Sequence, residues 1–504
     1  MDEKLKFTSI LDRKESPWRE RAFPAFYSDL NLDQVIERIR LEWGEEVTGL
    51  YHYFPADGAC EDYRREVFRD VKGNGLYGIL RGFSREMKDR REAMVQKEAV
   101  KSALQKAVWH VREVKLYCDA FRNLAARLWG LPLESGGMQA FREYLEGYLA
   151  GEGFLGMQEQ AERLTGQMEE LRLVLTYESD RIIIVQGEAP GSYDDFLKEC
   201  FPGHKKRLVS PFGAEPELVD LEAELLKAFR KRNPELFLES ERFFGKYGDY
   251  ADAVLVRFAS EIGFYLSFYC FEQKMQERGF SFAVPQALES SREEMYARGL
   301  YDLALACAGR DVVANDTVFR RDEKFYILTG PNQGGKTTFA RSLGQLVYFF
   351  KMGLDVPAEA AGIYRFTDIC THFCVEESVE TGRGKLREEL ERLADIMAES
   401  GKGDSFLFVV INELFTTAAN YDACIMGRRV LEHFLGRECR GIYVTHLREL
   451  AQGDPGLVSL GAMLDGQGRR TFRIERSTEE VPAAAGTLVA RHGLTYGQLK
   501  ERLA

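Results

Sequence analysis

Gly330-Pro331-Asn332-Gln333-Gly334-Gly335-Lys336-Thr337-Thr338 decides the fold of this 504-residue chain. The stretch satisfies the phosphate-cradling pattern G-x-x-x-x-G-K-[ST] at every fixed position. An apolar run, Phe325-Tyr326-Ile327-Leu328, precedes it, and a helical pattern from Phe339 to Phe350 follows. Strand, glycine loop and helix form the context in which backbone N–H groups approach phosphate oxygens and the helix N-terminus adds partial positive charge. Lys336 then supplies a mobile cation for terminal phosphates and Thr337 a hydroxyl for Mg²⁺. The expected ligand is ATP with Mg²⁺, held by residues 330–338.

Working outward, residues 300–504 alternate short β-rich runs with helices. The runs are Phe325–Leu328, Phe366–Cys370, Phe406–Ile411, Ile442–Thr445 and Thr471–Ile474. This alternation predicts an α/β layer domain with a mostly parallel sheet and the loop at the carboxyl end of a strand. Residues 81–299 read as an all-α lever or core domain, with a small α/β insertion near 174–215 that contains Arg181-Ile182-Ile183-Ile184-Val185. Within it Val100, Leu104, Ala107, Val111 and Val114 recur at helical spacing, and Glu239 to Arg278 reads as helix. Residues 1–80 form a mixed N-terminal segment, with helical character expected from about residue 83.

The apolar run Phe406-Leu407-Phe408-Val409-Val410-Ile411 reads as a strand buried on both faces, ending in Asn412-Glu413. In phosphate-loop ATPases this strand end holds an acid for the Mg²⁺ shell and often a glutamate that orients water. Glu413 fits the second role. Asn412 occupies the metal place beside Thr337, and a neutral amide predicts weak Mg²⁺ retention and slow turnover. Ile442-Tyr443-Val444-Thr445 delivers His446 to the same rim, where an imidazole could polarise water or sense a phosphate. Thr381-Gly382-Arg383-Gly384-Lys385 opens a helix and reads either as a phosphate grip for a partner subunit or as a plain helix entry.

Composition bounds the rest. A net charge of −12 argues against a uniformly basic nucleic-acid coat, leaving local clusters at His204-Lys205-Lys206-Arg207 and Arg230-Lys231-Arg232. Nine scattered cysteines suggest reduced thiols and a cytoplasmic location. Cys370, His372 and Cys374 read as ordinary buried groups rather than a metal site. No apolar run is read as long enough to cross a bilayer, so no membrane partner is expected.

The ordered motifs resemble the MutS family of DNA mismatch-repair ATPases. Thr329 to Thr338 is close to that family's T-G-P-N-M-G-G-K-S-T. Val313-Ala314-Asn315-Asp316 matches an Asn-containing turn near the nucleotide. Met352-Gly353, Val356-Pro357-Ala358-Glu359 and Val444-Thr445-His446 match further motifs, and Gly486, Val489 and Ala490 resemble the closing one. The resemblance implies an ABC/MutS-type ATPase domain with Asn315 at the nucleotide. It implies a homodimer with composite sites, and duplex or branched DNA as partner. It also departs. The family's D-E is Asn412-Glu413, its G-R-G-T-S-T-Y-D is Phe415 to Asp422, and its G-R-S is Gly382-Arg383-Gly384. Residues 1–80 contain no Phe-x-Glu, so direct mismatch reading is not expected. An ATP-binding scaffold of low activity, engaging proteins rather than DNA, is the alternative.

Overall fold

The computed structural model describes residues 7–13, 25–55, 57–171, 174–178, 181–185, 226–289, 293–373, 385–402, 405–477 and 500. His204 to Arg207, Cys374, Gly382-Arg383-Gly384, Gly486, Val489 and Ala490, and the insertion beyond its two strands lie outside them. The chain forms two compact units, Met1–Glu15 with Arg69–Leu266, and Ser16–Phe68 with Ser267–Ala504. The second unit therefore gathers much of the N-terminal segment together with the phosphate-loop region.

Among its described residues the first unit is mostly helical, with one antiparallel strand pair, β1 (Val174–Glu178) and β2 (Arg181–Val185). The stripe Val100, Leu104, Ala107, Val111 and Val114 is buried at every position. Its first member lies outside any helix. Val100 has extended backbone (φ −80°, ψ 144°) and separates helices Leu76–Ala99 and Ala103–Leu128, which pack on each other. Phe83 meets Phe121 at 5.1 Å, and Phe258 stacks on Phe141 at 3.4 Å. The run from Glu239 to Arg278, expected as one helix, is two, Pro234–Lys246 and Ala253–Glu277. The break spans residues 247–252, and from it the Tyr250 hydroxyl donates to the Glu113 carboxylate at 2.7 Å.

Glu113 anchors this unit. It is buried, and it accepts from Lys97 at 2.5 Å and from Arg90 at 3.3 Å, with His110 at 3.8 Å. Burial works to raise its carboxyl, but the neighbouring His110, Lys97 and Tyr250 outweigh it and bring the pKa down to about 2.

Ala253–Glu277 is long and apolar enough to cross a membrane by length and composition, which corrects the reading that no run is. Sixty-seven per cent of its most apolar window is buried in the fold. Glu261 within it accepts from the Ser9 hydroxyl at 2.8 Å and the Ile10 amide at 2.9 Å, as a core helix does.

The second unit is α/β. Its larger sheet runs in the order β12 (Arg470–Arg476), β11 (Leu457–Leu464), β6 (Phe325–Thr329), β10 (Cys439–Val444), β9 (Leu407–Asn412) and β8 (Asp368–Phe373). β11, β6, β10, β9 and β8 pair in parallel, and β12 is antiparallel at one edge. β6, β9 and β10 are buried at every residue, as continuous apolar runs require when both faces are covered. A smaller sheet joins β3 (Gln286–Leu288), β7 (Ala360–Tyr364), β4 (Met295–Leu300) and β5 (Asn315–Phe319).

Within residues 25–68, helices begin well before residue 83, where helical character is expected from sequence. Phe26–Asp29 and Leu32–Trp43 are helical, and they belong to the same unit as helix Lys336–Lys351. That helix is buried almost all round, so its polar side chains need internal partners. Arg341 donates to the Asp29 carbonyl at 2.9 Å, Gln345 to Leu30 at 2.9 Å, and Tyr348 to Tyr51 at 2.7 Å. Lys351 donates to Glu61 at 2.8 Å and to the Phe366 carbonyl at 2.7 Å.

Removing the buried carboxylate in Glu113→Gln should cost the protein about 3–5 kcal/mol at neutral pH, because Lys97 and Arg90 keep their charges without their counter-ion. The folded pKa, about 2, lies below the ordinary 4.5. The carboxylate's stabilisation is therefore complete above the ordinary value and lost as pH falls through the folded one. Denaturant titrations should find the wild-type advantage over Glu113→Gln shrinking between pH 5 and pH 2.5. An advantage that is constant over that range would contradict the assignment.

Candidate functional site

β6 ends at Thr329, and the chain turns through Gly330 at φ +135°, a conformation essentially reserved for glycine. A Cβ at Gly330 would lie 2.9 Å from the Ala462 Cβ on β11, and one at Gly334 would lie 2.9 Å from the Pro331 carbonyl oxygen. The neighbouring strand and the loop itself therefore leave room only for bare backbone. Gln333 adds a left-handed φ of 58°. The loop wraps the Lys336 ammonium, which donates to the Gly330 carbonyl at 3.0 Å and the Pro331 carbonyl at 3.1 Å. Lys336 is buried, and desolvation lowers its pKa against the opposing pull of Glu413.

Thr337, one residue on, donates its hydroxyl to the Asn412 side-chain oxygen at 3.0 Å. This bond ties the start of the helix to the end of β9. Parallel pairing of β9 with β10 brings Glu413 and His446 together, with the Glu413 amide on the Val444 carbonyl at 2.9 Å. The His446 Nε2 stands 3.3 Å from a Glu413 carboxylate oxygen. Thr445, between strand and histidine, is held to β6 by its amide on the Leu328 carbonyl at 3.0 Å. The ends of β9 and β10 and the helix that follows the loop after β6 thus place Thr337, Asn412, Glu413 and His446 on one rim.

A cavity of about 520 Å³ opens at this rim, within the range of small-molecule sites. Asn332, Gln333, Gly335, Lys336, Thr337 and Thr338 line it from the loop side, and Glu413 from the strand end. Gly330, Pro331, Gly334, Asn412 and His446 are not in its wall. Asn412 reaches it through Thr337, and His446 through Glu413. Asn315 lines the cavity, but its amide serves the protein's own backbone. It donates to the Val313 and Phe472 carbonyls at 3.2 Å each and accepts from the Ile474 amide at 2.8 Å. It acts as a clamp between β5 and β12.

The site also holds residues that sequence reading did not single out. Phe472 is in left-handed conformation (φ 58°), and its ring would lie 3.4 Å from a Cβ on Gly335. Asp302 and Arg310 to Val312 line the cavity as well. Burial pushes the Asp302 carboxyl up, against hydrogen bonds from Gln345 and the Leu305 amide. No local pattern marks these positions, because sheet pairing brings Phe472 from β12 and the others come from the segment between β4 and β5. Among the described residues no group of three metal-binding side chains occurs. Burial pushes the Cys370 thiol up to about 12 and lowers His372 to about 4, as for inert core groups. Lys227, Arg230, Lys231 and Arg232 are exposed, with Arg230 paired to Glu241 at 2.9 Å.

The cavity size, the bare glycine cradle, and a hydroxyl beside an amide oxygen fit a nucleotide with a divalent cation better than a purely apolar ligand.

Residues 326–462 match the family model of MutS domain V. The chain is 31% identical over 177 residues to the DNA mismatch repair protein MSH6 of Arabidopsis thaliana, covering 33% of this chain and 13% of that protein. It is 29% identical over 196 residues to the DNA mismatch repair protein MutS of Syntrophomonas wolfei, covering 38% and 22%. It is 25% identical over 270 residues to that of Streptococcus gordonii, covering 52% and 31%. These matches span less than a third of the relatives' own lengths. The recognition drawn from the ordered motifs stands: the chain is MutS-like.

Gly330→Ala should cost about 1–3 kcal/mol through its backbone conformation alone. Pairing it with Ala462→Gly should recover the steric part and leave the conformational part. Denaturation of the single and double variants measures both, and a Gly330→Ala protein as stable as wild type would refute the crowded-loop geometry.

Proposed function

We propose that this MutS-like chain binds ATP with Mg²⁺ at the 330–338 loop and hydrolyses it slowly. The carrying observation is the 3.0 Å bond from Thr337 to Asn412 at the mouth of the Lys336 loop. In this reading Lys336 exchanges its loop carbonyls for the terminal phosphates, and the loop amides and helix N-terminus bind the remaining phosphate oxygens. Thr337, with Asn412 behind it, would hold a Mg²⁺ ion, which would supply charge neutralisation for the phosphates. Glu413 orients the attacking water and accepts its proton, and His446 fixes the carboxylate from 3.3 Å. Asn412 brings no charge where an acid would help hold the ion, which is why turnover is slow.

The wider role follows from the relatives, which are DNA mismatch repair proteins by name. We infer a cytoplasmic homodimer whose ATP-dependent closure holds duplex or branched DNA, in mismatch repair or recombination. Backbone contacts would dominate, since residues 1–80 contain no Phe-x-Glu. The neutral Asn412 favours a second reading, an ATP-binding scaffold for protein partners. A gel shift with perfectly paired, one-mismatch and four-way-junction DNA at two salt concentrations separates them. Salt-sensitive binding that prefers the junction supports the DNA reading, and no binding to any of the three supports the scaffold.

Lys336→Ala should weaken ATP binding at least tenfold, about 1.4 kcal/mol, by calorimetry; equal affinities would refute the loop assignment. Glu413→Gln should lower turnover by about a hundredfold or more with binding intact. Asn412→Asp should shift the Mg²⁺ requirement to lower concentration. Wild-type turnover in Glu413→Gln would remove the general-base role.

A further inference from the structure

The residues after β9 make an unusual turn. Glu413 and Phe415 both have left-handed backbone, φ 53° and 60°. A side chain disfavours that conformation, and Phe415 stands where the resembling family has glycine. Such a turn persists only where its surroundings hold it. The Phe415 ring is buried, and its amide donates to a Glu389 carboxylate oxygen at 3.2 Å. Glu389 lies on helix Lys385–Ser400 with no exposed surface. A carboxylate so fully removed from water has to be hydrogen-bonded, and one of its bonds closes on the turn that aims Glu413 at the cavity. The same helix is anchored elsewhere in this unit. Arg392 pairs with Asp29, whose carboxylate also accepts from Thr371 at 2.6 Å and whose carbonyl accepts from Arg341 at 2.9 Å. The helix bearing Glu389 is therefore tied through Asp29 to the helix that begins at Lys336.

We propose that Glu389 is a positioning residue for the ATPase, fixing the left-handed Glu413–Phe415 turn so that the Glu413 carboxylate faces the cavity. The proposal rests on the ATPase reading above. Glycine adopts the Phe415 conformation freely, so the tether matters most because a phenylalanine is there. The dependence on Glu389 should thus weaken when the strain is removed.

The test uses the whole 504-residue chain. Glu389→Ala should lower turnover at least tenfold while the affinity for ATP stays within threefold. Glu389→Gln keeps an oxygen acceptor and should recover at least half of that loss on a logarithmic scale. Adding Phe415→Gly to Glu389→Ala should also recover activity, a rescue that a merely structural contact would not give. Hydrogen exchange at the Phe415 amide provides a readout independent of catalysis, and Glu389→Ala should speed it at least tenfold relative to wild type. ATP binding and turnover of the unaltered chain are measured alongside. If that chain binds no ATP, the functional reading fails, and the exchange result alone decides whether Glu389 holds the turn. If Glu389→Ala does not fold, Glu389→Gln against Glu389→Gln/Phe415→Gly carries the comparison. Unchanged turnover in a folded Glu389→Ala, equal losses of binding and turnover, or unchanged Phe415 exchange would each overturn the proposal.

Discussion

The α/β unit depends on one helix being buried on nearly every side. Lys336–Lys351 starts at the phosphate-type loop and ends with a lysine that has almost no exposure. A buried ammonium is costly unless it is paired and hydrogen-bonded. Glu61 and the Phe366 carbonyl meet that need for Lys351, and Asp29, Leu30 and Tyr51 meet it for the polar groups nearer the loop. Burial pushes the Glu61 carboxyl up against the pull of Lys351, Arg65 and Arg365, so each partner depends on the other being there. Residues 25–68 are thus part of what holds the loop helix in place. Gly344 sets how closely they approach, since a Cβ there would lie 2.5 Å from Leu30.

At the rim, the proposed chemistry rests on strand ends. Parallel pairing makes β6, β9 and β10 finish at one level, and the residues that follow share one edge. Desolvation alone would favour a neutral Lys336, and nearby Glu413 works the other way, so the two groups are electrostatically linked across the cavity. Two of the departures from the family pattern, Asn412 and Phe415, fall on this same edge. Asn412 keeps an oxygen for Thr337 but no charge, and Phe415 keeps the left-handed turn without the residue that adopts it most easily. The geometry survives both changes because neighbours hold it from outside, namely Thr337 in one case and Glu389 in the other.

The sequence by itself determined the strand–loop–helix at residues 325–350, the buried strands ending at Asn412 and Val444, and the stripe along Ala103–Leu128. These signals are local. Glycine and lysine spacing, continuous apolar runs and helical periodicity each act within about ten residues, where backbone geometry imposes them. The shared rim of Glu413 and His446 followed from the same logic, since parallel strands in one sheet align their ends. Tertiary structure decided the rest. Gly461 and Ala462 dilute the apolar run of β11, so it carries no clear strand signal, yet that strand pairs with β6 and packs on the loop. The clamp of Asn315 on β12, the cover supplied by residues 25–68, and the reach of Glu389 to Phe415 join residues 26 to 312 positions apart. Each depends on which buried polar group finds which partner once the sheets have formed, and such pairing leaves no periodic trace in the chain.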